Sequence, residues 1–230
     1  MPMNFCVIKI GGSLISVSRD IVRGLGALSG DGEPFLIVPG GGAMADLVRG
    51  LYDEYHLSEE TAHWMAILAM EEYGRLLADG TGAALTAEIS RPASGVWVLL
   101  PYRPLLEDDR ELRKSWDYTS DAVAALVASR LKVDLVKATD VDGIFLHGRL
   151  ADEVLAEELI GTETCIDQGS LRILMESGRS CLVLNGTDPD RFIAKLMAGE
   201  GGTLIRGRGV GRSGPNVRER LYPGSIKAAR

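Results

Sequence analysis

The chain has 230 residues, a formal net charge of −7, 46% hydrophobic residues, only 6% aromatics and 28 glycines. That length suits one large domain or two small lobes sharing a sheet, and apolar content dominated by Ala, Leu, Val and Ile favours a layered α/β fold over an aromatic-rich β sandwich. The acidic balance argues against nonspecific nucleic-acid binding, and no apolar run approaches the roughly 18 residues of a membrane span. The first residues lead straight into a strand-like segment and read as leaving no room for a signal peptide. Cys6, Cys165 and Cys181 lack metal-ligand spacing. Cys6 and Cys181 read as small core residues, and the reducing cytoplasm is the expected compartment.

In chain order, residues 5–10 predict a strand, 20–28 a helix, 35–38 a second strand and 43–51 a helix with Ala43, Leu47, Val48 and Leu51 on one face. Ser58 is placed as an N-cap with Thr61 at the third position, opening a helix through Ala78 that stops at Asp79-Gly80. Residues 96–100 predict a buried strand, and 102–116 read as irregular and polar. Thr119 or Ser120 caps a helix through Leu131, with Ala122, Ala125, Leu126 and Ser129 on one face. A strand at 134–138 leads to a hairpin with His147-Gly148 at its turn, then a short helix at 152–160. A helix at 170–177 ends at Gly178, followed by a strand at 181–184, a helix at 191–197 and a strand at 203–205. Such alternation implies a mainly parallel sheet with helices on both faces. From Gly207 the chain carries Arg208, Arg212, Arg218, Arg220, Lys227 and Arg230 against Glu219 alone, a composition expected to be partly disordered.

Four segments carry chemistry. The first is Val7-Ile8-Lys9-Ile10-Gly11-Gly12-Ser13. Strand alternation puts Cys6, Ile8 and Ile10 on one face and Phe5, Val7 and Lys9 on the other. A lysine closing an apolar strand is costly to bury unpaired, and it stands at the carboxyl end, where open α/β sheets place ligands. Gly11, Gly12 and Ser13 are able to turn amides and a hydroxyl toward an anion. Read structurally, the same residues are an edge-strand lysine in solvent and an ordinary turn.

The second segment, Phe35-Leu36-Ile37-Val38-Pro39-Gly40-Gly41-Gly42, also ends a strand and directly precedes a helix, whose N-terminus favours negative charge. Gly40, Gly42 and Ala45 fit a G-x-G-x-x-A dinucleotide fingerprint, but the acid expected about 20 residues on would be Glu59 or Glu60, which start a helix instead of ending a strand. No G-x-x-x-x-G-K-S/T run exists, which removes the P-loop class. The third segment, Asp117-Tyr118-Thr119-Ser120-Asp121, places an aspartate in a first helical turn, favourable through the helix dipole alone; its functional reading is to hold a catalytic lysine or help position a metal. The fourth is Val136-Lys137-Ala138-Thr139-Asp140-Val141-Asp142-Gly143-Ile144-Phe145. Its aspartates and threonine at a strand end suit a nucleotide's ribose and phosphates, or else Asp142-Gly143 is a tight turn.

Taken in this order, the segments resemble the amino acid kinase superfamily, which includes acetylglutamate kinase, bacterial-type uridylate kinase and isopentenyl phosphate kinase. The likeness spans roughly residues 5–205. It implies a three-layer αβα sandwich around a mainly parallel sheet. Within residues 1–206 it places an acceptor-binding half at about 1–115 and a nucleotide-binding half at about 116–206, followed by the basic tail at 207–230. The implied activity is transfer of the γ-phosphoryl group of ATP to a small-molecule phosphate acceptor. Lys9 would bridge the phosphoryl group in flight, with Asp121 organising it. Gly11, Gly12 and Ser13 would cradle the ATP phosphates, while Lys137, Thr139, Asp140, Asp142 and Gly143 would sit in the nucleotide site. Gly40, Gly41 and Gly42 would face the acceptor, with Asp46, His63 and Thr119 beside it. Mg²⁺ would be held mainly by the ATP phosphates and water, without protein ligands of its own.

The chain departs from this pattern in three places. Several relatives carry a second catalytic lysine in the segment aligned with 164–178, where Arg172 is the only nearby cation; Lys137 is the alternative, from the other side. Isopentenyl phosphate kinases have a histidine shortly after the glycine triplet, where this chain has Asp46. The acceptor-lid region is shortened. The helix Ala62-His63-Trp64-Met65-Ala66-Ile67-Leu68-Ala69-Met70, with Thr164-Cys165-Ile166-Asp167, is similar to a methanogen-type branch that phosphorylates aminomethylfuran-methyl phosphate in methanofuran biosynthesis. Read structurally, Met65, Ile67, Leu68 and Met70 are core or subunit interface; the functional reading has His63 and Trp64 line a pocket for a small flat ring. The alternatives are a uridylate or isopentenyl phosphate kinase, a carboxylate kinase, and, from another class, a non-catalytic oxyanion-binding or storage protein; a dehydrogenase is more distant. A homo-oligomer, dimer or higher, is expected, with no nucleic-acid or membrane partner.

Overall fold

The computed structural model describes residues 5–29 and 34–208; beyond Arg208 the basic tail lies outside the described residues. Four consecutive buried residues form Val7–Ile10 (β1), and a 3-10 turn at Gly12–Leu14 leads to Ser18–Ser29 (α1). Phe35–Pro39 (β2) runs directly into Gly42–Tyr55 (α2). Glu59–Ala78 (α3) starts at Ser58, whose Oγ accepts from the Thr61 amide at 3.2 Å, with Glu59 and Glu60 placed favourably toward the helix dipole. Ala84–Thr86 (β3), Val96–Leu99 (β4) and Tyr102–Glu107 (α4) complete the first half.

The second half contains Ser120–Arg130 (α5), Leu135–Thr139 (β5), Phe145–Leu146 (β6), Arg149–Leu150 (β7) and Glu153–Leu155 (β8). Gln168–Ser177 (α6), Ser180–Asn185 (β9), Pro189–Ala198 (α7) and Thr203–Arg206 (β10) follow. The β6–β7 hairpin turns at His147 (φ 50°) and Gly148 (φ 76°), the paired left-handed residues of a two-residue hairpin loop.

Eight strands form one sheet in the order β3-β4-β2-β1-β5-β9-β10-β8. Every neighbouring pair is parallel except β9–β10. Strands from the first half lie on one side and strands from the second on the other, meeting where β1 pairs with β5. The alternation in β1 places Ile8 and Ile10 in a core with α1, α7 and the later turns of α3. Val7 faces the opposite core, beneath α5 and α6. This is the expected three-layer arrangement. Among the described residues no helix is long and apolar enough to cross a membrane.

Four local expectations are corrected. Residues 152–160 hold strand β8 and a 3-10 turn at Ala156–Leu159 instead of a helix. The helix-favouring run Glu-Val-Leu-Ala-Glu-Glu-Leu is overruled because Glu153, Val154 and Leu155 pair in register with Leu204, Ile205 and Arg206. Strand β3 was unanticipated; it is a short, half-exposed strand at the sheet edge, without an apolar run to announce it. The segment 102–116 contains α4, anchored by the Tyr102 amide donating to Glu71 Oε1 at 2.9 Å. Helix α5 was expected to bury one face, yet Asp121 through Ala128 are all buried. Sandwiched between the sheet and α6, a helix needs apolar or small residues all round.

Candidate active site

The carboxyl ends of β1 and β2 bring the two glycine loops into contact. A Cβ on Gly12 would overlap the backbone of Gly42, and one on Gly40 would come 2.8 Å from the Gly12 nitrogen. Gly42 also adopts φ +54°, a conformation that side chains resist. Both loops are therefore glycine-rich first of all because backbone packs on backbone. The β1 loop is fixed by the Tyr73 hydroxyl donating to the Gly11 carbonyl at 3.1 Å and by the Gly11 amide donating to Ala138.

Lys9 is 6% exposed and its Nζ lies 2.9 Å from Asp121 Oδ1. The other oxygen of Asp121 pairs with Lys137, whose Nζ also donates to the Cys165 carbonyl. Lys9 and Lys137 are register partners on adjacent strands, so both project to the same sheet face, where α5 supplies the one carboxylate between them. Burial alone would raise the Asp121 carboxyl, but Lys137 and Lys9 outweigh it and hold the group well below the usual carboxylate range. Burial also lowers Lys137, which the Asp121 charge overcomes, leaving its ammonium above its ordinary value. For Lys9 burial prevails: Asp121 restores only part, and the charge of Lys137 opposes it, so Lys9 is lowered.

Lys9 lines a cavity of about 560 Å³. Gly12, Ser13, Gly41 and Gly42 line it beside Lys9; Ala62, Ala66, Ile67 and Met70 give an apolar wall from α3, joined by Ala45 and Val123. Asp46, Arg49, Glu59, His63, Trp116 and Thr119 complete most of the perimeter. Asp46 accepts from Arg49 at 2.6 Å, and the Arg49 guanidinium stands 5.3 Å from the Trp116 ring centroid. His63 Nε2 is buried without a hydrogen-bond partner, and burial lowers its imidazole below its ordinary value. Trp64 does not line the cavity; it packs edge-on to Tyr102, and Trp116 supplies the indole instead. The α3 stripe is thus core and cavity wall, with Leu68 exposed.

Of the residues singled out in the sequence, Lys9, Gly12, Ser13, Gly41, Gly42, Asp46, His63 and Thr119 meet at this cavity. Asp121 lies beneath Lys9, while Lys137 is 4% exposed and contributes nothing to the lining. Thr139 is buried and donates to Asp140 at 3.2 Å, and Asp142 accepts from Asn185 at 3.1 Å; Asp140 and Asp142 are exposed at the end of β5, apart from the cavity lining. Gly143, at φ +148°, packs against Thr203, where a Cβ would overlap the hydroxyl. Arg172 sits 3.9 Å from Asp117 and does not line the cavity. Arg49, Glu59, Trp116 and Val123 were not anticipated; their only local signal was proximity to a glycine loop or helix start. Among the described residues no group of three or more His, Cys, Asp or Glu side chains is placed to hold a metal ion.

A cavity with a cation and loop amides on one wall and apolar side chains on another suits an anionic head on a small organic body. Comparison with known proteins agrees. The amino acid kinase family profile matches residues 4–114. An aminomethylfuran-methyl phosphate kinase of Methanocaldococcus jannaschii is 30% identical over 199 residues, covering 81% of this chain and 90% of the relative. The uridylate kinase of Methanothermobacter thermautotrophicus is 26% identical over 224 residues, covering 86% and 97%. The crystal structure of uridylate kinase from Archaeoglobus fulgidus shares the fold, with a TM-score of 0.67 at 23% identity, covering 87% of this chain and 99% of that one. The protein is a kinase, a phosphotransferase built on a three-layer α/β sandwich. It belongs to the amino acid kinase family.

Proposed function

We propose that this kinase transfers the γ-phosphoryl group of ATP to the phosphate of a small phosphomonoester, forming a diphosphate, and that aminomethylfuran-methyl phosphate is the acceptor. The observation that carries the reading is the Asp121-paired Lys9 on the wall of a cavity of about 560 Å³ that also has an apolar wall from α3. Phosphoryl transfer needs positioning and charge neutralisation more than covalent chemistry. Lys9 supplies the charge between donor and acceptor oxygens, and Asp121 fixes its Nζ. Gly12 and Ser13 offer an amide and a hydroxyl to the donor phosphates, and Gly41 and Gly42 approach the acceptor phosphate; Gly11 and Gly40, whose amides donate to Ala138 and Ile10, hold the two loops in place behind the cavity lining. The organic body rests on Ala62, Ala66, Ile67 and Met70, with His63 and Thr119 as polar contacts. Asp46 is already paired with Arg49, so the Glu59 carboxylate in the lining is the one that favours an acceptor bearing a protonated amine.

Thr139, Asp140 and Asp142 stand at the carboxyl end of β5, where the nucleotide's ribose and base belong in open α/β sheets. Lys137 acts on the phosphates through Asp121. The donor set fits a magnesium nucleotide: Lys9, Gly12 and Ser13 line the cavity and would receive phosphate oxygens, while the ion would travel on the nucleotide. When bound, Mg²⁺ neutralises charge on the β- and γ-phosphates. Cytoplasmic location and a homo-oligomer belong to the same reading; Leu47, Tyr55 and Leu68, exposed on α2 and α3, supply apolar surface for a subunit contact.

Phosphorus NMR with MgATP tests the proposal against aminomethylfuran-methyl phosphate, UMP, isopentenyl phosphate and N-acetylglutamate. Coupled diphosphate resonances are expected with the first. Preference for UMP, the second reading that the uridylate kinase relatives favour, would reassign the acceptor, and an acyl phosphate would overturn phosphomonoester chemistry. Lys9→Ala is expected to lower turnover by roughly 10²–10³, as for loss of a preorganised donor; a folded variant with full activity removes Lys9 from the mechanism.

A further inference from the structure

Asp167 has no place in the mechanism above, yet this half-buried carboxylate accepts four hydrogen bonds near the site. Its Oδ2 accepts from the Thr119 amide and hydroxyl, both at 2.7 Å, and from the Ala122 amide at 3.2 Å. Its Oδ1 accepts from the Ser170 amide at 2.6 Å. One carboxylate therefore caps two helices. For α6 it is an ordinary N-cap three residues before its donor. For α5 it reaches across 48 positions of sequence to the residue where that helix begins. The positive ends of both helices converge on one anion.

The α5 turn so held is the one that carries Asp121. Thr119 and Ala122, both bonded to Asp167, bracket it, and the Thr119 hydroxyl also accepts from the Asp121 amide at 3.5 Å. Two further contacts tie the same loop to this turn: the Gly169 amide donates to the Asp117 carbonyl at 2.8 Å, and Lys137 donates to the Cys165 carbonyl while pairing with Asp121. An aspartate on a helix's first turn is free to shift with any fraying of that turn. Here fraying requires breaking three hydrogen bonds to the half-buried Asp167 carboxylate.

We propose that Asp167 is a positioning residue for phosphoryl transfer: it locks the first turn of α5 so that Asp121 presents its carboxylate to Lys9, while touching no substrate itself. The inference rests on the reading of Lys9 and Asp121 as the catalytic pair. Asp167→Asn keeps the size but faces donors with an amide, so the α5 contacts or the α6 contact must be lost. Turnover is expected to fall roughly tenfold to a hundredfold, the scale of a small misplacement of a catalytic group, with KM for MgATP and the acceptor little changed.

The control is Asp134→Ala, which removes the contact of a different, buried carboxylate to the Ser180 amide at 2.9 Å, at the opposite end of β5. Both variants are assayed at a temperature where circular dichroism shows them fully folded. Asp167→Glu, which keeps the charge and moves it by one methylene, serves if Asp167→Asn does not fold, and the same fall is expected. The decisive readout is a double-mutant cycle: in a Lys9→Met background, substituting Asp167 should cost little more, because both act through one unit. Wild-type kcat in the Asp167 variants, an equal loss in Asp134→Ala, or multiplicative losses in the cycle would overturn the proposal. A fully active Lys9→Met enzyme would instead sink the catalytic-pair reading, a separate outcome.

Discussion

Asp121 is shared by two lysines, and the imbalance has measurable consequences. Removing it leaves Lys9 and Lys137 buried without their common counter-charge. Breaking a buried pair in this way costs about 3–5 kcal/mol, so Asp121→Asn should shift the urea unfolding midpoint strongly downward and abolish turnover. Adding Lys137→Met removes one stranded cation and should recover part of that stability without restoring activity; no recovery would mean that the lysines are not coupled through Asp121. The pH profile follows from the direction for Lys9. A lysine lowered by burial loses its charge as pH rises through a value below its ordinary one of about 10.4. The alkaline limb of kcat/KM, which reports the free enzyme, should therefore descend before that pH, and a profile flat up to it would contradict the assignment. Lys9 and Asp121 were each legible in the sequence as a charge at an element's end. Lys137 was legible as a candidate second lysine, but its pairing with Asp121 was not, because only the β1–β5 register brings it alongside Lys9.

Among elements, the informative contact is loop against loop. Gly12 and Gly42 lie in separate strand-to-helix connections, and a methyl group at Gly12 has no room beside the Gly42 backbone. Gly12→Ala should destabilise the fold by about 1–3 kcal/mol, as overpacking does, and weaken MgATP binding in calorimetry; unchanged stability and affinity would show that the loops separate freely. Both glycine runs stood out in the sequence, although as ligand-approach signals; that they also serve packing required the second loop. Helix starts at Ser58 and Thr119 carry the capping side chains that local rules place there, whereas the Asp188 cap of α7 lies before the helix start read from the sequence. Strand β8 escaped because its residues favour a helix until β10 offers an edge to pair with. The all-round burial of α5 escaped because alanine suits an exposed face and a crowded one equally.

For the whole molecule, the cavity lies near the seam where the two halves of the sheet join. It draws Lys9 and the glycine loops from one half and Thr119, Ser120 and Val123 from the other. A nucleotide spanning the seam should stabilise both halves together: at a hundred times its Kd, MgATP should add about 2.7 kcal/mol. The thermal midpoint should rise accordingly in one cooperative transition; a shift confined to part of a split transition would mean that the halves unfold separately. The sequence by itself determined the layered α/β class, most strand and helix positions, and the two glycine loops beside a terminal lysine. Each depends on a local rule: periodicity, a cap, or a glycine at a strand's end. Only the tertiary structure decided that α5 delivers Asp121 between Lys9 and Lys137, that α3 and Trp116 wall the cavity, and that Asp167 ties α5 to α6. Those contacts join residues far apart in the chain, and their geometry is set by strand order and helix packing over the whole core, which no short stretch of sequence encodes.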